Sequence, residues 1–261
     1  MSIVRSLIGY APAVVLPRIV SLILVLILTR LISKQEYGLF VLVMTFGEMI
    51  DGVVSTWVRI AMTRFASAHT EDFGRETRRS LGLYGVTLLP ATAVAVLCGL
   101  FTQTDRPVEF VAAILIYIVA SGIMRFPSTV MSVQADRNGI VAMETAKAIG
   151  VLVLGVGAAF ASGTFFTQTV VYGAVTTAVG LWGAWRSMRP LDLASGPLEP
   201  LSHYLAYGLP IIGAAVVGAI ASSADRLFLN QTVGAEAVAL YAAGVMLARQ
   251  PMDFLFSLAG V

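Results

Sequence analysis

Charged side chains that fall inside long apolar runs of this sequence include Arg18, Glu48, Asp51, Glu144 and Lys147. Three more, Arg30, Asp225 and Arg226, lie where such runs end. A charge surrounded by hydrocarbon costs a few kcal/mol, so it faces a partner or a polar cavity. Arg18 and Asp51 each stand about eight residues from the end of their run on the side of the N-terminus. At 1.5 Å per helical residue, both lie roughly 12 Å deep. Glu48 precedes Asp51 by three residues and shares its helix face. Glu144 and Lys147 have the same spacing in a later run. Arg18, Glu48, Asp51 and Lys147 are therefore the first candidates to line a polar vestibule, able to hold an anion or to hydrogen-bond a polar solute. Arg30, Glu144, Asp225 and Arg226 rank behind them. The alternative is structural pairing, of Arg18 with Asp51 and of Glu144 with Lys147. The second pair lies near the interface, where long side chains snorkel. Arg30 and Arg226 read as interface anchors at outer helix ends, and Asp225 as a cap or a partner for Arg226.

Other chemistry finds little support. The sequence contains no GxSxG, HExxH, Walker A or cysteine pair. Cys98 is the single cysteine and lies in an apolar run. His69 and His203 are far apart in polar segments, without metal-ligand spacing. No metal or cofactor is expected. A net charge of +2 gives no footprint for nucleic acid.

The elements that must position these charges follow from composition. Hydrophobic residues make up 57% of the 261 residues and charged residues 12%. Soluble domains are nearer a quarter charged, so the solvent for most of this chain is lipid. A spanning helix needs roughly 20 mostly apolar residues, and eight segments qualify: 10–31, 38–58, 81–101, 108–126, 140–161, 168–185, 204–224 and 237–258. The expected fold is all-α, a polytopic transmembrane helix bundle. The first apolar run is too long for a signal peptide and lacks a cleavage site, so it reads as an uncleaved span. With the N-terminus cytoplasmic, inner loops hold ten Lys and Arg and outer loops four, which sets that orientation. Pro190–Pro200 (PLDLASGPLEP) is the best linker in the chain. It divides a six-helix N-terminal lobe, 1–189, from a cytoplasmic linker, 190–203, and the first two helices of a second lobe, 204–261. Tyr10-Ala-Pro12, Thr29-Arg-Leu31 and Leu39-Phe40 are echoed by Tyr207-Gly-Leu-Pro210, Asp225-Arg-Leu227 and Leu240-Tyr241. That pattern suggests a parallel repeat about an axis normal to the membrane. The second copy stops after two helices, so the chain is expected to be an incomplete part of a longer protein, or a non-functional fragment.

Four passages carry a family resemblance. They are Thr29–Phe40 (TRLISKQEYGLF); Asp51–Arg59 (DGVVSTWVR) with Arg64-Phe-Ala66; Gln134–Asn138 (QADRN); and Tyr207-Gly-Leu-Pro210 with Asp225-Arg226 and Leu240-Tyr241. Together they resemble the polysaccharide-biosynthesis transporters, the Wzx-type flippases for lipid-linked oligosaccharides. These belong to the multidrug, oligosaccharidyl-lipid and polysaccharide exporter superfamily. Ala239 stands where that family usually has Gly. Members usually have 12 to 14 helices, against about eight here.

The resemblance implies a transporter, not an enzyme, that moves a polyprenyl-pyrophosphate-linked sugar across a bacterial inner membrane by alternating access. Its partners would be the lipid-linked oligosaccharide, membrane lipids and polysaccharide-assembly proteins. The other readings are a multidrug or cation extruder of the same fold, which favours carboxylates without a cationic cavity, and a membrane polysaccharide polymerase or ligase, which usually needs a large outer loop.

The loop charges make a testable map. Cysteines placed at Arg78 and at Arg186 on a Cys98→Ala background should resist an impermeant thiol reagent in intact cells. Cysteines at Asp105 and Gly163 should be labelled. Labelling at position 78 with none at 105 would invert the topology.

Overall fold

The computed structural model describes residues 3–68, 73–102, 104–191 and 200–259, with side chains at 17–65, 73–100, 102, 104–191 and 200–248. Among the described residues the chain forms nine helices and no strand. They are α1 (Ile3–Leu31), α2 (Lys34–Val54), α3 (Thr56–Ala68), α4 (Phe73–Phe101), α5 (Pro107–Val133), α6 (Arg137–Ala161), α7 (Phe165–Met188), α8 (Leu201–Thr232) and α9 (Ala235–Ala259).

The polytopic helical bundle is as expected, and the boundaries differ in ways that matter for the charges. Five of the described helices, α2, α4, α5, α6 and α8, are long and apolar enough to cross a membrane. In α7, the buried Gln168, Thr169 and Thr176 lower the apolarity of a helix of sufficient length. The second apolar segment is not one helix. It breaks at Ser55, whose N–H donates to the Asp51 carbonyl at 3.0 Å. The Thr56 hydroxyl reaches the same carbonyl at 3.3 Å, and the Ser55 hydroxyl turns to Thr87 at 3.0 Å. Hydroxyl groups that bond locally to the backbone compete with helix continuation. The polar stretch 59–80, expected as a loop, is helical through Ala68 and again from Phe73. The fourth span runs past Pro127 to Val133, and the seventh continues to Thr232. His203 lies in the first turn of α8, not in a loop. Most of the expected linker, at 192–199, and His69 lie outside the described residues.

The surface is apolar and the interior carries polar groups. Leu89 and Phe160 are 73% and 75% exposed, while Asp51 and Ser55 are fully buried. A chain in lipid gains nothing by hiding leucine, so packing and hydrogen bonds hold the helices together. Polar ties sit at both ends of the bundle. At one end the Glu36 carboxylate accepts from Arg106 and, at 2.7 Å, from the Phe165 N–H that opens α7. A carboxylate at a helix N-terminus is favourably placed against its dipole. At the other end Asp136 caps α6 through the Gly139 N–H at 3.0 Å and receives Arg186 at 2.8 Å. The Arg186 guanidinium holds the Asp136 carboxyl below the ordinary carboxylate range.

Close backbone approach marks two of the larger helix contacts. α2 packs on α9 where Gly38 meets the start of α9, and a Cβ on Gly38 would fall 1.9 Å from the Ala235 carbonyl oxygen. The echoed pairs α1–α2 and α8–α9 are each joined by two residues, Ile32-Ser33 and Val233-Gly234. α5 packs along α7, with Gly180 against the Ile123 carbonyl. Pro127 lacks the N–H that an uninterrupted helix would direct to that carbonyl, four residues earlier.

A methyl group at position 180 would lie 2.7 Å from the Ile123 oxygen and 2.8 Å from the Met124 nitrogen, atoms that cannot rotate away. Gly180→Ala should therefore cost about 1–3 kcal/mol, read as a fall in Tm of the detergent-purified protein. Gly157→Ala, with nothing within 4 Å of its Cβ, should leave the Tm unchanged or raise it slightly. Equal effects at both positions would refute the close α5–α7 contact.

Candidate functional site

Asp51 is fully buried near the end of α2. A lone carboxylate at such depth is strongly disfavoured, and three groups answer it. Arg59 Nη2 donates to Oδ2 at 2.8 Å, Arg125 Nη1 to the same oxygen at 2.5 Å, and the Tyr84 hydroxyl to Oδ1 at 2.8 Å. The break at Ser55 brings Arg59 back to Asp51, and Thr56 steadies that guanidinium at 2.7 Å. The other guanidinium arm of Arg125 binds Glu48, which also accepts from the Tyr117 hydroxyl. Arg125 thus spans both carboxylates of α2 from α5.

The expected Arg18–Asp51 pair does not form, because Asp51 is taken by Arg59, Arg125 and Tyr84. Arg18 instead lines a cavity of about 570 Å³ between α1, α2, α6, α8 and α9. Glu48 and Lys147 line it too, as does Arg226. Arg226 does not sit at a helix end, since α8 runs on to Thr232; its Nη1 reaches the Thr45 hydroxyl at 3.3 Å. Much of the remaining wall is apolar, with Leu24, Phe40, Met44 and Met246 among its residues. Three cations and one carboxylate line this cavity beside its apolar wall.

A second cavity of about 350 Å³ adjoins it between α2, α5, α6 and α7, and Glu48, Lys147 and Tyr172 border both. Glu144 and Lys147 pair here at 2.9 Å. Asp225 accepts from the Tyr241 hydroxyl of α9 and from the Arg226 N–H at 2.7 Å, outside either cavity. Arg30 is exposed at the end of α1. The Tyr207–Pro210 passage of α8 docks on α3, with Arg64 over the Tyr207 ring at 4.7 Å.

Sequence reasoning missed Arg59, Arg125, Tyr84 and Tyr117. It counted both arginines among the inner-loop cations, Arg59 just past the end of one span and Arg125 one residue from the end of another. Setting them aside leaves eight inner cations against four outer, so the charge bias keeps its sign. A signal did exist. Arg125 falls inside the apolar run 108–126, and Ser128–Val133 continues an apolar helix beyond it.

A family model described as polysaccharide biosynthesis protein matches residues 3–261. The chain belongs to that family, the one of the Wzx-type polysaccharide biosynthesis flippases. No curated protein and no solved structure matches it.

The network and the cavity should respond differently to substitution. Arg125→Met removes the ion-pair partner of Glu48 and one of the three partners of Asp51 and should cost about 3 kcal/mol, the lower end for a broken buried pair since Arg125 is partly exposed and Asp51 keeps Arg59 and Tyr84. Arg18→Met, in a cavity wall, should cost far less. Thermal unfolding in detergent checks this, and equal losses would contradict the division of roles.

Proposed function

We propose that this protein moves a lipid-linked oligosaccharide, a polyprenyl-pyrophosphate sugar, across a bacterial inner membrane by alternating access. The observation that carries the reading is the large cavity, where Arg18, Lys147 and Arg226 face a single carboxylate amid apolar walls. Pyrophosphate needs cations and a polyprenyl chain needs apolar surface, and family membership supplies the setting of polysaccharide biosynthesis. In this reading the N-terminus is cytoplasmic, as the loop cations favour. Residues 190–203 join a six-helix lobe to a second lobe, and the two rock about the cavity. Membrane lipids surround the bundle, and polysaccharide-assembly proteins supply and receive the cargo.

Extrusion of drugs or other cations fits the cavity less well. Its one carboxylate, Glu48, is already neutralised by Arg125 and bonded by Tyr117, while Arg18, Lys147 and Arg226 also line it.

Arg18→Ala and Arg226→Ala should each lower surface-polysaccharide production at least about tenfold in a complemented flippase-deficient strain, with protein levels unchanged. The figure follows from losing a hydrogen bond to a charged group. Undiminished complementation by the double variant would overturn the reading.

A further inference from the structure

The smaller cavity differs in kind from the larger. Its cations are already matched. Arg59 meets Asp51 at 2.8 Å, Arg125 meets Asp51 at 2.5 Å and also Glu48, and Lys147 meets Glu144 at 2.9 Å. Three positive and three negative groups leave no net field to draw in an ion. Neither Arg18 nor Arg226 borders it.

Three of its lining residues nevertheless carry an unsatisfied buried polar atom, Arg59 at Nε and Ser121 and Thr176 at their hydroxyls. Ser121 and Thr176 are 2% and 1% exposed, and their hydroxyls have no hydrogen-bond partner. Native proteins seldom leave buried hydroxyls unpaired, and each such case asks for an explanation. Most threonines in these helices return their hydroxyl to the carbonyl four residues earlier, as Thr169 does to Phe165 at 2.9 Å; Thr176 does not. The wall also carries an aromatic ring. Tyr172 stacks on Tyr117 at 5.2 Å between centroids, and it borders both cavities. At about 350 Å³ the space is within the range of small-molecule sites, about 300–1,000 Å³.

Free hydroxyls, a ring and balanced charges suit a neutral polyhydroxyl solute. They do not suit a phosphate, which would be repelled by the carboxylates as much as it was drawn by the arginines. We propose that the smaller cavity is a binding subsite for an uncharged sugar unit, with Ser121 and Thr176 bonding its hydroxyls and Tyr172 presenting an aromatic surface at its entrance. This rests on the transport reading above. It divides the head group between the two cavities, the pyrophosphate at Arg18 and Arg226 and the sugar at Ser121 and Thr176. Glu48, Lys147 and Tyr172 border the passage between them.

The test is equilibrium binding to the purified protein in nanodiscs, using undecaprenyl pyrophosphate and its conjugates with glucose, galactose and N-acetylglucosamine. At least one conjugate should bind about tenfold tighter than the bare pyrophosphate, as two added hydrogen bonds allow. The Ser121→Ala/Thr176→Val double variant should lose that gain while its Kd for the bare pyrophosphate stays unchanged. Each single variant should lose part of it, which provides the measurement should the double variant not fold. If no conjugate gains over the bare pyrophosphate, or if the variants keep the gain, the subsite is refuted and the transport reading is untouched. A raised Tm with unchanged binding would assign the two hydroxyls to hydration alone and equally refute it. Failure of the wild-type protein to bind bare undecaprenyl pyrophosphate would instead count against the transport reading.

Discussion

The structure turns on one constraint, that the fully buried carboxylate of Asp51 must be compensated where water cannot do it. Two arginines and a tyrosine from three helices converge on it. Meeting that demand explains several features at once. The chain breaks at Ser55, which lets Arg59 return to Asp51. α5 continues through Arg125 and beyond Pro127, so that a guanidinium reaches across to α2. Glu48 is drawn into the same network through the second arm of Arg125. Replacing such a network by apolar groups is often neutral or stabilising, so its value lies in fixing geometry more than in raw stability.

That geometry divides the interior into two electrostatic environments. Because Arg59 and Arg125 are spent on Asp51 and Glu48, the region between α2, α5, α6 and α7 is polar but neutral. Across the shared wall of Glu48, Lys147 and Tyr172 the larger cavity is lined by Arg18, Lys147 and Arg226, and its one carboxylate, Glu48, is already answered from behind by Arg125. In the proposed reading, a solute with an anionic part, an uncharged polar part and an apolar tail would meet a surface suited to each. The scaffold that holds these walls relies on backbone contact, at Gly38 with α9 and at Gly180 with α5. Helices in lipid are not driven together by the hydrophobic effect, and close packing supplies much of their attraction.

Arg125 and Arg226 show how a charge misleads when a span is read along the chain. Each was taken as the end of an apolar segment, and each lies inside a longer helix. Hydropathy falls at a charged residue whether it meets water or a buried carboxylate. The carboxylates of α2, set in an apolar run, did call for partners, but one-dimensional spacing could not say which arginine would supply them.

The sequence by itself determined the helical class, the membrane as solvent and the family, because composition and local motifs depend only on which residues are present and in what order. It also marked Arg18, Glu48, Asp51 and Lys147 as charges that needed an explanation. Only the tertiary structure decided their partners. Asp51 joined Arg59, Arg125 and Tyr84 rather than Arg18, and Arg226 came from 181 residues away to reach Thr45. The physical reason is that an ion pair in a bundle is set by how helices rotate and cross. Those angles follow from glycine contacts and a helix break that leave no trace in hydrophobic periodicity.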